Sequence, residues 1–270
     1  MTDINKITQY YNKFNEDKRL KSRHGQVEYL ISMKYIHEYL SGMGKDARIL
    51  DVGAATGAYS IPLANEGYEV HAIELVKHNV QRLRAASDKV HALQGNALKL
   101  TRKFEREYFD LVLVFGPMYH LFSHEERKRV LDQTKSVLKP GGIAMVAYCM
   151  NDYAIVKHGF MEGTIKEAFT DNKVDINYNV MSTDDDLYDY VSTDEIDALA
   201  SESGLIRQKI ITPDGPANYI RHILREMDEE SFELFVRYVE TIAERKDMIG
   251  AAAHTVDILQ KPIDLTNIKI

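Results

Sequence analysis

One carboxylate is followed at once by a glycine-bearing turn, in the segment ILDVGAATG over residues 49–57. The apolar residues before Asp51 predict a short buried strand, and a helix is expected to begin near Ala58. Gly53 and Gly57 permit positive φ and a close approach of ligand to backbone. A helix that begins there presents unpaired N–H groups across the turn. Because open α/β sheets bind ligands at the carboxyl ends of their strands, this segment is a candidate binding turn.

Two ligand classes use such a turn, namely dinucleotides and S-adenosylmethionine. The dinucleotide fingerprint G-x-G-x-x-G, placed on Gly53, needs glycines where this chain has Ala55 and Ala58. The pattern that remains over residues 51–57 resembles motif I of the class I S-adenosylmethionine-dependent methyltransferases. A βα turn without a ligand is the alternative. The resemblance implies that the turn holds the methionine end of the cofactor, through Asp51 and the backbone of Gly53, Ala54, Ala55 and Gly57.

Glu74 ends the next predicted strand, 23 positions after Asp51. An acidic residue about 20 positions past the first turn binds ribose hydroxyls in such folds, because its two oxygens can accept from a vicinal diol. Leu75 comes next and is placed to flank the adenine. A solvated charge at the end of a strand is the alternative for Glu74.

Gly95-Asn96-Ala97 follows the third predicted strand, where the methyltransferase superfamily usually has G-D-A. Members of that superfamily use the acidic residue to accept a hydrogen bond from the adenine amino group. The amide oxygen of Asn96 can still accept, although less strongly than a carboxylate. The resemblance therefore implies that Asn96 and Ala97 lie beside the adenine.

An apolar strand predicted over residues 108–115 leads into the loop Gly-Pro-Met-Tyr-His-Leu at positions 116–121. This loop resembles the one after strand 4 in a bacterial branch of small-molecule methyltransferases. The resemblance implies that Phe115 and Gly116 contact the cofactor and that Tyr119 and His120 face the methyl acceptor.

His120 is the candidate proton acceptor, because a neutral imidazole is a natural base near pH 7. A structural loop histidine is the alternative. His124 follows four positions later, but Ser123 and Glu126 form a capping box that separates His120 from the next helix. The two histidines then share no helical face, and no metal site is predicted.

Residues 1–46 contain apolar positions at helical spacing on both sides of a charged connector. The segment resembles the N-terminal stretch of the same bacterial branch, and in class I enzymes such a segment often covers the cofactor as a lid. An arginine fork suits a carboxylate. The hypothesis is that Tyr11, Arg19 or Arg23 reaches the methionine carboxylate or the acceptor; a packed helical hairpin is the alternative.

Composition narrows the class of protein. The formal charge of −7, without a block of Lys or Arg, argues against a nucleic-acid partner. The single cysteine, Cys149, excludes an internal disulfide, fits a reducing cytoplasm and is interpreted as a core residue. No apolar stretch approaches the roughly 20 residues of a membrane span, and the first residues do not resemble a signal peptide. The sequence does not indicate an oligomeric state.

Jointly, the motifs resemble a class I methyltransferase over most of residues 10–150 and more weakly in the tail. The resemblance implies an α/β Rossmann-like fold, with a seven-stranded mainly parallel sheet in the order 3-2-1-4-5-7-6, an antiparallel last strand and helices on both faces. We expect an N-terminal lid (1–46), a core that binds S-adenosylmethionine (47–150) and the rest of the sheet (151–270). The last part is expected to carry cap insertions at about 151–191 and 213–250.

The predicted function is methyl transfer from S-adenosylmethionine to a small-molecule acceptor by direct displacement, with S-adenosylhomocysteine as product. The alternatives are a non-catalytic binder of these compounds and another transfer reaction on the same fold. The acidic and aromatic stretch Asp184–Tyr190 is either a solvated loop or a wall for a cationic acceptor.

Overall fold

Seven strands form one sheet in the computed structural model, which describes residues 4–11, 20 and 22–263. The strands are β1 (Arg48–Val52), β2 (Glu69–Glu74), β3 (Val90–Gln94), β4 (Phe109–Val114), β5 (Leu138–Cys149), β6 (Ile206–Ile211) and β7 (His254–Gln260). Their order in the sheet is β3-β2-β1-β4-β5-β7-β6. The first five pair in parallel, and β7 runs antiparallel to both β5 and β6. The predicted fold class, strand order and antiparallel last strand are confirmed.

Helices cover both faces of this sheet. They are α1 (Ile4–Tyr11), α2 (Arg23–Ser41), α3 (Ser60–Asn65), α4 (Lys77–Ala86), α5 (His124–Val137), α6 (Asn151–Ala154), α7 (Ile165–Thr170), α8 (Thr193–Ser203), α9 (Arg221–Glu226) and α10 (Glu229–Ile242). Two 3₁₀ turns, Ala97–Arg102 and Met118–His120, and a π-helix, Ile155–Met161, complete the set. None of the helices in the described part of the chain is long and apolar enough to cross a membrane.

Strand β4 shows how the two layers are built. Its side chains alternate between faces, as in any strand. Leu111 and Leu113 belong to the core shared with α2, α3, α4 and α10, whereas Val112 and Val114 belong to the core shared with α5 and α8. Because both faces are covered, the strand is apolar from Leu111 to Val114 without alternation.

Residues 139–142, Lys-Pro-Gly-Gly, lie inside β5. Leu138 pairs with Phe109 and Ile143 pairs with Leu111, so the register shifts across the four residues between them. Gly141 has φ +81° and its amide donates to the carbonyl of Lys261 at 2.9 Å. Residues 139–142 are therefore an irregular part of β5 that is hydrogen-bonded to the residue after β7.

The helical stretch over residues 151–170 is divided. Helix α6 passes into the π-helix, and α7 begins only at Ile165. Gly163, with φ +78°, lies between the two pieces in a conformation that a right-handed helix cannot continue through.

Candidate active site

In the turn after β1, every second residue from Gly53 to Gly57 has a backbone φ in the left-handed region. Gly53, Ala55 and Gly57 have φ +78°, +46° and +95°. The amide of Gly53 donates to the carbonyl of Ile73 at 2.8 Å, which ties the turn to β2. The following helix begins at Ser60, slightly later than expected. Glycine adopts a positive φ at little cost because it has no Cβ. Ala55 does have a Cβ, so another contact has to hold it in this conformation.

Glu74 supplies that contact. Its Oε2 accepts from the amide of Ala55 at 3.0 Å, and its Oε1 accepts from the amide of Val76 at 2.7 Å. Burial raises the pKa of Glu74, and these bonds, with one from Asn79, oppose the rise. Glu74, at the end of β2, therefore holds the turn after β1 in place. It also lines the cavity described next.

A cavity of about 520 Å³ opens at the carboxyl ends of β1–β4. Its wall includes most of the residues predicted to touch cofactor or acceptor: Asp51, Gly53, Ala54, Ala55, Glu74, Leu75, Asn96, Ala97, Phe115, Gly116, Tyr119 and His120. We call it the first cavity. Four separate chain segments meet there, as expected where parallel strands end at the same edge of a sheet.

Glycines keep this edge of the first cavity open. A Cβ on Gly53 would lie 3.1 Å from the Cα of Gly116, and a Cβ on Gly116 would lie 2.8 Å from the carbonyl oxygen of Gly53. The loops after β1 and β4 therefore touch backbone to backbone. Both glycines line the first cavity, and a side chain on either would force the two loops apart.

Asp51 is 2% exposed and accepts a short hydrogen bond from the hydroxyl of Ser60. Burial raises the pKa of Asp51 to about 6, although the bond from Ser60 opposes the rise. A buried carboxylate of this kind is stabilised in its charged form by a cationic ligand group.

Asn96 caps the first 3₁₀ turn, since its side-chain oxygen accepts from the amide of Leu98 at 2.8 Å. The oxygen that was expected to face the adenine amino group therefore already accepts one bond. A carbonyl oxygen has two lone pairs, so the second can still face a ligand in the first cavity.

His120 is 7% exposed, and its Nδ1 lies 2.8 Å from the carbonyl oxygen of Leu187. Since a carbonyl only accepts, Nδ1 carries the proton and the ring lone pair is on Nε2. Burial lowers the pKa of His120 to about 4, so the imidazole is neutral at pH 7. The rings of Tyr119 and Tyr188 lie 4.7 and 5.3 Å from it, centre to centre.

Two of the predicted site residues lie elsewhere. Gly57 packs away from the first cavity, where a Cβ would meet the side chains of Leu83 and Ile61. Arg23 pairs with Glu229 at 2.8 Å and its guanidinium lies over the ring of Phe232, so it links α2 to α10. The side chain of Tyr11 and all of Arg19 lie outside the described residues.

A second cavity, of about 620 Å³, adjoins the first. Both cavities are lined by Glu28, Tyr59, Phe115 and Tyr119, which mark the junction between them. The rest of the wall comes from α2 and its cap, from β5, from β7 and the residue before it, and from the segments 153–158, 188–190 and 213–221. The sequence offered the stretch Asp184–Tyr190 as a possible wall for an acceptor, and Tyr188 and Tyr190 of that stretch line this cavity. The residues from α2, β5 and β7 were not placed in a site, because they are far apart in the chain and no spacing relates them.

His254, at the start of β7, lies at the centre of a buried acidic group beside the second cavity. Its Nδ1 lies 2.8 Å from Oδ2 of Asp214 and 3.7 Å from Oε2 of Glu28. Burial acts to lower the pKa of His254, but the two carboxylates outweigh it and leave the pKa well above its usual value. These three side chains have the spacing of metal ligands. However, the Nδ1 that faces both carboxylates is used as a hydrogen-bond donor, and a protonated nitrogen has no lone pair for a metal.

Cys149 lines the second cavity rather than lying in the core. It is directly opposite His254 in the antiparallel pairing of β5 and β7. A base beside this thiol could not be recognised from the sequence, because the two residues are adjacent only across the sheet.

A sheet in the order β3-β2-β1-β4-β5-β7-β6, with a glycine elbow after β1 and a carboxylate at the end of β2, defines the class I methyltransferase fold. Residues 49–142 match the family model of a methyltransferase domain. S-adenosylmethionine is the cofactor of that class.

Similar proteins agree with this fold. A glycine/sarcosine N-methyltransferase from Aphanothece halophytica is 33% identical over 104 residues, which cover 37% of this chain and 39% of that protein. A ubiquinone biosynthesis O-methyltransferase from Rickettsia typhi is 29% identical over 126 residues, covering 46% and 48%. The matched segment thus spans less than half the length of either relative. The structure of a possible histamine N-methyltransferase from Thermotoga maritima superposes with a TM-score of 0.58 at 18% identity, covering 96% of this chain and all of that one.

Proposed function

We propose that this protein is an S-adenosylmethionine-dependent methyltransferase whose acceptor is a small molecule bound in the second cavity. The observation that carries the proposal is the pair of adjoining cavities with a shared wall of Glu28, Tyr59, Phe115 and Tyr119. A protein that only binds the cofactor needs the first cavity alone. The second cavity therefore favours the enzyme over the non-catalytic binder.

The residues of the first cavity fit the proposed cofactor chemically. The charge of Asp51 suits the ammonium group of the methionine end, and Glu74 suits the ribose hydroxyls because a carboxylate accepts from both. The backbone contact of Gly53 with Gly116 leaves no space for a side chain between the two loops, and Asn96 offers its second lone pair to the adenine amino group. Leu75, Ala97 and Phe115 supply apolar wall.

When bound, the cofactor supplies a methyl carbon that an acceptor lone pair attacks while the carbon–sulfur bond breaks and its electrons remain on sulfur. Because that methyl group is already activated, the protein's task is to align the acceptor and to exclude water. Tyr119 lines both cavities, and the next residue, His120, lines the first. His120, held neutral with its lone pair on Nε2, is the candidate to receive a proton from an acceptor.

The test is calorimetric binding of S-adenosylhomocysteine, followed by transfer from labelled S-adenosylmethionine to a metabolite extract. The wild-type protein is expected to bind the product and to label a small molecule. Binding without labelling of any fraction would favour the non-catalytic binder, and absence of binding would end the proposal.

Glu74→Ala is expected to weaken binding of S-adenosylhomocysteine at least tenfold, about 1.4 kcal/mol, because the ribose loses its acceptor and the elbow loses the bond that holds Ala55. Glu66→Gln, on the helix-to-strand connection before β2, is the control and should bind normally. Urea unfolding of both variants separates a loss of affinity from a loss of fold. Unchanged affinity in a folded Glu74→Ala protein would remove Glu74 from the site.

A further inference from the structure

The second cavity has an aromatic wall of neutral rings. Burial raises the pKa of Tyr153 to about 12, and it raises the pKa of Tyr190 further still, so both remain uncharged at pH 7. The rings of Tyr119 and Tyr188 lie 5.6 Å apart. Aromatic faces attract cations and exclude water. The tyrosines that line this cavity are Tyr59, Tyr119, Tyr153, Tyr188 and Tyr190.

An acidic group stands at the junction of the cavities. Glu28 lines both of them, and its side chain is 13% exposed. The neighbouring acid, Asp214, is matched by His254 at 2.8 Å and accepts from Nδ2 of Asn218 at 2.6 Å. His254 pairs with both carboxylates, so the charged forms of these three side chains sum to one negative charge, and Glu28 is the carboxylate of the group that lines both cavities.

A basic group lines the second cavity away from that junction. Arg221 lines the second cavity only; its Nε donates to Oδ1 of Asn218 at 2.9 Å and its Nη2 lies 3.3 Å from the hydroxyl of Tyr153. Among the residues that the structure describes, no carboxylate lies within 4.0 Å of the guanidinium. Arginine forks bind carboxylates bidentately, so this group is suited to an anionic part of a ligand.

A chain of three hydrogen bonds and one longer ion pair links the two ends. Arg221 donates to Asn218, Asn218 donates to Asp214, and His254 lies between Asp214 and Glu28. Asn218 and Asp214, in the middle of the chain, are 2% and 0% exposed, whereas Arg221 is exposed. A buried and satisfied polar network is rigid. The buried middle of the chain therefore positions both ends of the cavity from one network.

We propose that the second cavity binds a small amino acid as the methyl acceptor, with the amine nitrogen at Glu28 beside the junction and the carboxylate at Arg221. This inference rests on the proposed function and names the acceptor class for the same site. A zwitterion matches both charged ends at once. A simple amine leaves Arg221 without a counter-charge, and a simple acid places an anion near Glu28.

The proton balance follows from this placement. An amino group is protonated at pH 7 and has no lone pair until it loses a proton. The Glu28 carboxylate holds the ammonium group by its charge, and the proton passes to Nε2 of His120, the base named above. The neutral nitrogen then forms its new bond to the methyl carbon as the carbon–sulfur bond breaks and its electron pair stays on sulfur. His120 returns the proton to solvent after the methylated amine leaves.

The experiment measures binding of α-, β- and ω-amino acids to the S-adenosylhomocysteine complex by calorimetry, with transfer assays beside it. For each amino acid that binds, its methyl ester and its N-acetyl derivative are compared. The ester loses the negative charge, and the N-acetyl compound loses the positive one. Each change is expected to weaken binding at least tenfold.

Two variants assign the ends of the cavity. Arg221→Gln should weaken binding of the amino acid about tenfold and leave the affinity of its ester unchanged. Glu28→Gln should weaken binding of the amino acid and leave the affinity of the N-acetyl compound unchanged. Arg225→Gln, one turn further along the same helix, is the matched control and should behave as wild type.

The outcomes separate this inference from the proposed function. If S-adenosylhomocysteine binds and neutral or purely cationic acceptors are methylated while no amino acid binds, the inference fails and the function stands. If Arg221→Gln weakens the ester and the amino acid equally, the assignment of the carboxylate to Arg221 fails. Tight Zn²⁺ binding by the wild-type protein that is lost in Glu28→Gln would replace the inference with a metal site.

Discussion

At the level of single residues, burial and hydrogen bonding set the chemistry of the candidate site more than residue type does. His120 is neutral because it is buried, and its tautomer is fixed because Nδ1 faces the carbonyl of Leu187. Asp51 and Glu74 are carboxylates with raised pKa values for the same reason, namely burial. The residue types were visible in the sequence, but the protonation states required the fold.

His120→Asn is expected to lower turnover more than affinity for S-adenosylhomocysteine, since asparagine can donate to Leu187 but cannot accept a proton. The variant should also change acid stability. The folded pKa of about 4 lies below the ordinary 6.5, so the unfolded chain binds the proton first as pH falls. Stability from the neutral ring is present above pH 6.5 and is lost as pH falls toward 4, about 3 kcal/mol in total.

Urea unfolding at pH 7, 5.5 and 4.5 checks this prediction. Wild type should lose more stability over that range than His120→Asn, whereas the exposed His222→Asn should follow wild type. Equal turnover in wild type and His120→Asn would make the residue structural, and parallel stability curves would contradict its lowered pKa.

At the level of elements, the site depends on how closely the ends of β1 and β4 approach. Gly53 and Gly116 touch through their backbones, and a methyl group on Gly116 would lie 2.8 Å from a carbonyl oxygen that cannot move independently. Each glycine follows the apolar strand that the sequence predicts. Their contact with each other could not be predicted from either segment alone, because it depends on the pairing of β1 with β4.

Gly116→Ala is therefore expected to push the two loops apart, to destabilise the protein by about 1–3 kcal/mol and to weaken binding of S-adenosylhomocysteine. Gly67→Ala is the matched control. Gly67 has φ +97° but nothing lies within 4 Å of its Cβ position, so that variant has backbone strain of about 1–2 kcal/mol without a clash. Calorimetry and urea unfolding of both proteins make the comparison. Equal affinities for the product would show that the contact of the loops does not shape the first cavity.

At the level of the whole molecule, the N-terminal helices are joined to both cavities and to the C-terminal half. Ile7 of α1 lines the first cavity, and Glu28 of α2 lines both. The hydroxyl of Tyr10 lies 3.3 Å from that of Tyr188, and Arg23 pairs with Glu229. That residues 1–46 act as a lid stays a prediction. Opening of such a lid would break the contacts with Tyr188 and Glu229.

Hydrogen exchange tests that lid. Peptides that contain residues 4–11 and 22–30 should gain protection when S-adenosylhomocysteine is added, because a ligand that contacts α1 and α2 reduces their local opening. Peptides from α8, which packs on the opposite face of the sheet, are the internal reference and should exchange at the same rate. Unchanged exchange in the N-terminal peptides of a protein that binds the ligand would contradict the lid.

The sequence by itself determined the features that are local. The strand, elbow and helix around residues 49–65, the carboxylate at the end of β2 and the cap at Ser123 each depend on neighbouring residues, and the resemblance to a known family supplied the strand order. Helix boundaries such as the break at Gly163 are not determined by neighbouring residues alone, because several backbone conformations compete there and packing selects one.

Only the tertiary structure brought together Glu28, Asp214, Arg221 and His254 and turned Cys149 toward a cavity. These residues belong to four segments that meet through the antiparallel pairing of β7 with β5 and the packing of α2 beside them. Elementary spacing rules describe residues on one helix or one strand. A site formed by side chains from separate segments depends on how those segments pack, and that is decided by the whole core.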